Sequence, residues 1–152
     1  MSKPAHLDNI LRDWNRIHLQ TVRLMALAPD DQYDWKPHDT SMTLGALLNH
    51  FSQAEAGLVE AIITGIFPRD FGNYESTEEL IAAFNKSHDE AVARVRAIAD
   101  EAWEEKVAPF GPDRSFSRLD LLTISLEHEI HHRGQLYVYL RMLGCPVPEL
   151  FG

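Results

Sequence analysis

The stretch from Arg118 to Gly144, RLDLLTISLEHEIHHRGQLYVYLRMLG, decides the fold. It reads as one long helix with a start signal and a stop signal. Ser117 is placed to cap the first turn, with Asp120 three residues on. Gly144 suits the left-handed conformation that ends a helix, and Pro146 prevents its resumption. Leu121, Ile124, Gln135, Tyr139 and Met142 fall on one stripe with His128 and His132. Leu119, Leu122, Leu126, Ile130, Tyr137 and Leu140 fall on the opposite one. A helix that is apolar on two sides is buried on two sides, in a thick core or partly in a subunit interface.

Three more helices are predicted upstream from the same periodicity. The first covers about His6 to Leu27 and ends at Ala28-Pro29-Asp30-Asp31. The second covers about Leu44 to Thr64, capped by Thr43 or Ser41. The third begins near Thr77, where Ser76 and Glu79 have capping-box spacing, and is expected to run to about Asp100. Glu101 to Phe116 holds Pro109, Gly111 and Pro112 and reads as loop with one short extended piece. Four helices without strand alternation predict an all-α four-helix bundle. At 152 residues, without a linker or repeat, the chain reads as one domain, 1–152.

Bulk composition narrows the function. A net charge of −9 without a Lys/Arg run argues against nucleic acid and against an anionic membrane surface. The single cysteine, Cys145, excludes an intrachain disulfide and reads as a partly buried bystander thiol. No stretch has the length of a membrane span or the pattern of a signal peptide, so a cytoplasmic protein is expected.

Two histidines in an apolar stripe need partners. Leaving each unsatisfied would cost roughly 1–3 kcal/mol. His128 and His132 lie one turn apart and can grip one metal ion if other elements add ligands. The alternative is a pair of core histidines bonded to carboxylates or water. His131 points off that face, toward the surface or a supporting role. The same letters spell HExxH, with Glu129 as a candidate base. The extended form of that motif needs Gly in place of Gln135 and His in place of Val138, so the match reads as accidental. For a third ligand, His50 on the second helix is the first choice and His18 the reserve. His38 and His88 sit among polar neighbours and are expected in solvent. Arg133 reads as a partly exposed side chain, and Gln135 and Tyr139 either orient a ligand or simply pack.

His128-x-x-x-His132-Arg133-Gly134-Gln135, then Tyr139-Leu140-Arg141-x-Leu143-Gly144 and Val147-Pro148, closely resembles the end of DinB-family proteins. Trp35-Lys36-Pro37, leading into Thr43-Leu44-x-x-Leu47-Leu48-x-His50, resembles their second helix. The resemblance implies a bundle with up-down-down-up connections and a homodimer. It implies a divalent metal, nickel or zinc first and manganese or iron after them, held by His50, His128 and His132. Relatives of the fold include S-transferases and isomerases that use low-molecular-weight thiols. The expectation is therefore a metal-dependent enzyme of thiol S-transferase or hydrolase type acting on a small-molecule substrate. The competing expectation is a metal-binding stress-response or interaction module without turnover.

Overall fold

The computed structural model describes residues 4–149, so the six end residues of the expected 1–152 domain lie outside it. Four helices form: α1 (Leu7–Met25), α2 (Leu44–Thr64), α3 (Thr77–Arg96) and α4 (Arg118–Met142). The capping signals explain most of the boundaries. The Thr43 hydroxyl accepts from the Ala46 amide at 3.1 Å, which selects Thr43 over Ser41 as the cap of α2. Ser117 and Asp120 form a reciprocal capping box at the start of α4. At its other end Gly144 takes φ 76°, and the Cys145 and Gly144 amides close back on Leu140 and Arg141. α3 ends at Arg96, short of the expected Asp100, and a single 3₁₀ turn at Asp100–Ala102 follows. The loop beyond holds two short strands, β1 (Lys106–Val107) and β2 (Phe116–Ser117), paired antiparallel. The single expected extended piece is therefore half of a pair.

Two apolar clusters fill the bundle, one at each end. Leu24 and Met25 of α1, Leu44 to Phe51 of α2, Leu80 and Phe84 of α3, and Leu136 to Leu140 of α4 make the first. Leu7 to Trp14, Val59 to Ile62, Ala91 and Val95, and Leu121 and Leu122 make the second. Along the chain, α1 runs from the second cluster to the first, α2 and α3 run back, and α4 returns. The topology is up-down-down-up. α2 touches α4 and α3, and α1 touches α4 and α3, so consecutive helices α1 and α2 face each other across a diagonal.

Between the clusters lies a polar layer to which every helix contributes. His18 and Thr21 of α1, Glu55 of α2, His88 of α3, and Ser125, Glu129 and Arg133 of α4 are all buried there.

Parallel neighbours α2 and α3 require a crossover the length of the bundle. Residues 65–76 can span roughly 40 Å when extended, and a helix of 20 residues such as α3 is about 30 Å long. The crossover is pinned along one stripe of α2. The Asn49 amide donates to the Gly45 and Tyr74 carbonyls and accepts from the Tyr74 amide. Gln53 Nε2 donates to the Gly72 carbonyl at 2.9 Å. Next on that stripe is Gly57, where a Cβ would come within 2.4 Å of the Phe67 ring, so only glycine lets the loop lie this close.

Leu48 is fully buried in the first cluster, whereas Leu19 is 58% exposed. Leu48→Ala should destabilise the protein by about 2–5 kcal/mol, and Leu19→Ala by less than about 0.5 kcal/mol, in urea denaturation of metal-free protein. Equal losses would overturn this placement of the core.

Candidate metal centre

His128 and His132 share a face of α4, and α2 brings His50 against them. All three Nε2 atoms lie 3.1 Å from one another. Three nitrogens in a triangle cannot all be satisfied by hydrogen bonds among themselves. The corners of such a triangle stand about 1.8 Å from its centre, inside the usual metal–imidazole distance of about 2.0–2.1 Å. A point at bonding distance from all three therefore exists on the axis through that centre. His50, His128 and His132 form a group that can hold one metal ion.

Electrostatics favours the ligand-ready state. Burial lowers the pKa of His50, and His132 lowers it further. Burial, then His132, His50 and His131, brings His128 down to about 4. Burial also lowers His132, against the raising effect of its bond to Gln135. All three are neutral at pH 7. His132 Nδ1 lies 2.6 Å from Gln135 Oε1, an acceptor, so Nδ1 carries the proton and Nε2 keeps its lone pair.

A cavity of about 330 Å³ opens beside His50 and His128. Its other lining residues are Gln53, Ala54, Leu58, Phe67, Phe71, Phe110 and Ile124. Phe67 and Phe71 come from the crossover, and Phe110 comes from the loop between the two short strands. Nothing in the sequence reading anticipated this cavity.

Several expectations change. His88 was expected in solvent and is instead buried, at 2% exposure. Arg133 is buried too, with Nη1 donating to Gln20 Oε1 at 2.7 Å. The contacts of Tyr139 are those of packing, its hydroxyl donating to the Met42 carbonyl and its ring meeting Trp35. His131 and His38 are exposed, as expected. Glu129 is buried in the polar layer, where its carboxyl interacts with Thr21, Glu55, His88 and Arg133.

The reserve ligand His18 joins Glu55 and His88 in a second group, with one candidate donor atom from each within 4.8 Å of the others. The ring geometry argues against a metal there. The two imidazoles are stacked, with centroids 3.8 Å apart and planes 6° from parallel. An imidazole binds metal in its ring plane, and two nearly parallel planes do not converge on one ion. Hydrogen bonding accounts for most of the group. Asn15 Oδ1 accepts from His88 Nε2 and Asn85 Oδ1 from His18 Nε2, both at 2.8 Å. His88 Nδ1 is then a lone pair facing Glu55 Oε2 at 2.9 Å, which requires a protonated Glu55 donating to it. Burial raises the Glu55 pKa to about 8 against the opposing bond from Trp14, in keeping with that proton.

A sequence profile of the DinB superfamily matches residues 14–136. The chain belongs to the DinB superfamily. YjoA of Bacillus subtilis is 30% identical over 118 residues, 75% of each protein. Its crystal structure, described as DinB-like, superposes with a TM-score of 0.75 at 26% identity, over 93% of this chain and 96% of that one. YfiT of B. subtilis, described as a probable metal-dependent hydrolase with an unusual four-helix bundle topology, gives a TM-score of 0.73 at 13% identity, over 95% and 91%. A mycothiol-dependent maleylpyruvate isomerase gives 0.58 at 20% identity, over 90% of this chain and 63% of that one. At these last two identities the likeness concerns the fold. No described helix is long and apolar enough to cross a membrane.

The Glu55 proton has a measurable consequence. A carboxyl whose folded pKa is raised binds more protons folded than unfolded between about pH 4.5 and 8. Its contribution is present below the unfolded value and is lost as pH rises through the folded one. Between pH 5 and 9 the urea midpoint of metal-free protein should fall further in wild type than in Glu55→Gln. Identical profiles would mean that Glu55 is ionised in the fold.

Proposed function

We propose that this protein is a metal-dependent enzyme that transfers a small thiol to a carbon electrophile. His50, His128 and His132 hold the metal in this reading. The observation that carries it is the triangle of neutral Nε2 atoms opening beside an apolar cavity. A divalent metal bound by three imidazoles keeps open positions and supplies Lewis acidity that lowers the pKa of a thiol or water. Nickel and zinc suit this all-nitrogen donor set, with manganese and iron behind them. Gln135 holds His132 in its ligating tautomer. Phe67, Phe71, Phe110 and Leu58 line the space beside the site with apolar surface.

The lining favours thiol transfer over hydrolysis. No carboxylate lines the cavity among the described residues, and Glu129 is engaged in the polar layer. Hydrolysis commonly relies on a general base to activate water. A free thiol titrates near pH 8.5 and needs only a modest lowering to ionise at neutral pH. In the transfer, sulfur bonds to the electrophilic carbon, the bond from carbon to its leaving group breaks, and the thiol proton departs to solvent. The fold shared with a mycothiol-dependent isomerase supports a thiol co-substrate, and the description of YfiT supports metal dependence. A cytoplasmic location, with its reduced thiol pool, fits the same reading.

A homodimer through α4 belongs to the same proposal. Ile130, Val138 and Met142 are exposed at 44%, 52% and 59%, and a Cβ at Gly134 would meet no neighbour within 4 Å. Light scattering at micromolar concentration should give twice the chain mass, and a monomer mass would remove the dimer from the proposal.

Metal analysis after dialysis should find about one divalent ion per chain, lost in His50→Ala and in His128→Ala. Retention by both variants would refute this ligand set. Gln135→Ala should weaken metal affinity by about 10–100-fold while keeping the site. Thioether formation from a panel of thiols and electrophiles should require metal and vanish in His132→Ala. A tight metal site without turnover across that panel would leave a binding module.

A further inference from the structure

The cavity beside His50 and His128 has a lining that selects its occupant. Its polar surface comes from the two neutral imidazoles and from Gln53, whose amide nitrogen already donates to the Gly72 carbonyl. Among the described residues no Lys, Arg, Asp or Glu lines it. In the metal-free protein a charged ligand would lose its hydration there without gaining a partner. A sugar or peptide would leave hydroxyls or amides unpaired.

The aromatic side chains are arranged for a ring. Phe67 meets Phe71 edge to face, with centroids 5.9 Å apart and planes at 66°. Phe67 also meets Phe110 at 5.4 Å and 46°, and Phe110 meets Phe116 at 6.1 Å and 82°. Such a cluster presents both faces and edges, and a well-placed aromatic pair attracts beyond what burial alone supplies. Phe110 is 42% exposed, an apolar surface that a bound ligand would cover. Gly57 seats the cluster. A Cβ there would lie 2.4 Å from the Phe67 ring and 3.0 Å from the Phe71 ring, so only its absence lets both rings settle against α2.

We propose that this cavity binds a neutral aromatic molecule against Phe67, Phe71 and Phe110, and that this molecule is the electrophile of the thiol transfer. The role as electrophile rests on the function proposed above, whereas the binding does not. A ring held there lies next to His50 and His128 and brings a substituent carbon to the edge of the histidine triangle. The cavity volume of about 330 Å³ suits a molecule of up to three rings.

The probe is N-phenyl-1-naphthylamine, which is neutral and fluoresces when it leaves water. Titrated into the full-length protein, it should bind in the micromolar range with or without added zinc. Phe71→Ala should weaken it about tenfold or more. Gly57→Ala should weaken it too, by pushing both rings into the cavity. Leu19→Ala, an exposed position on α1, should leave it unchanged. Competition in metal-free protein separates the ligand classes: 1-naphthalenemethanol should displace the probe at least tenfold better than 1-naphthoate. Equal displacement by the anion, or full affinity in a folded Phe71→Ala, would overturn the proposal. If Gly57→Ala does not fold, Phe71→Ala and the competition still decide. Probe binding without any metal uptake would sink the proposed metal enzyme and leave the aromatic site. Metal-dependent conjugation confined to charged, ring-free electrophiles would do the reverse.

Discussion

The polar layer at mid-height constrains everything else in this bundle. Each helix places a polar group between the two apolar clusters: His18 on α1, Glu55 on α2, His88 on α3 and Glu129 on α4. Each bonds to another member of the layer or to a near neighbour, although His18 Nδ1, Glu55 Oε1 and Glu129 Oε1 have no hydrogen-bond partner. Sliding one helix by a turn, about 5.4 Å, would set these groups against leucine and phenylalanine. Each bond broken that way would cost roughly 1–3 kcal/mol. Apolar packing tolerates such slips far better, because one leucine contact resembles another. The layer ties α2 to α1 through Glu55 and Trp14, and α4 to α1 through Glu129 and Thr21, and so sets the register of α2 against α4. That register brings His50 level with His128 and His132, and three Nε2 atoms at a mutual 3.1 Å leave little room for error.

Much of this was legible in the sequence, for identifiable reasons. α2 matched its predicted bounds because a threonine cap and a glycine stop mark its ends. α4 matched within a residue because Ser117, Asp120 and Gly144 act locally. α3 stops short of its expected end, and no glycine or proline follows Arg96 in sequence to mark the stop. His88 was misread from its sequence neighbours Ser87, Asp89 and Glu90. Helical neighbours decide burial, and Phe84, His88, Ala91 and Val95 form one buried stripe. That signal was present in the spacing. Glu55, between Phe51 and Leu58 on α2, carried the same signal. The aromatic cavity was not legible, because Phe67, Phe71 and Phe110 lie in loops without periodicity and meet only through the topology.

That topology also explains why a cavity exists. Up-down-down-up order puts parallel helices α2 and α3 side by side, so the chain must travel the whole bundle length between them. A short hairpin loop would have left the flank of α2 bare. The crossover instead lies along Asn49, Gln53 and Gly57 and delivers two phenylalanines beside His50. One chain segment thus solves a connectivity problem and walls the site.

α4 shows how one helix serves two unlike environments. His128 and Glu129 are adjacent in sequence, yet successive residues point about 100° apart. The first joins the histidine triangle, and the second joins the buried layer with Thr21 and Glu55. His132 and Arg133 repeat the division one turn later, Arg133 reaching Gln20 of α1 while His132 faces α2. HExxH is thus two interleaved patterns, histidines for the site and Glu129 with Arg133 for the core. In a zinc protease the glutamate of that motif serves the metal's water, but here its burial among Thr21, Glu55 and His88 gives it a structural duty. On the function proposed above, a site without that base is better suited to a nucleophile that ionises readily, and a thiol does so where water does not.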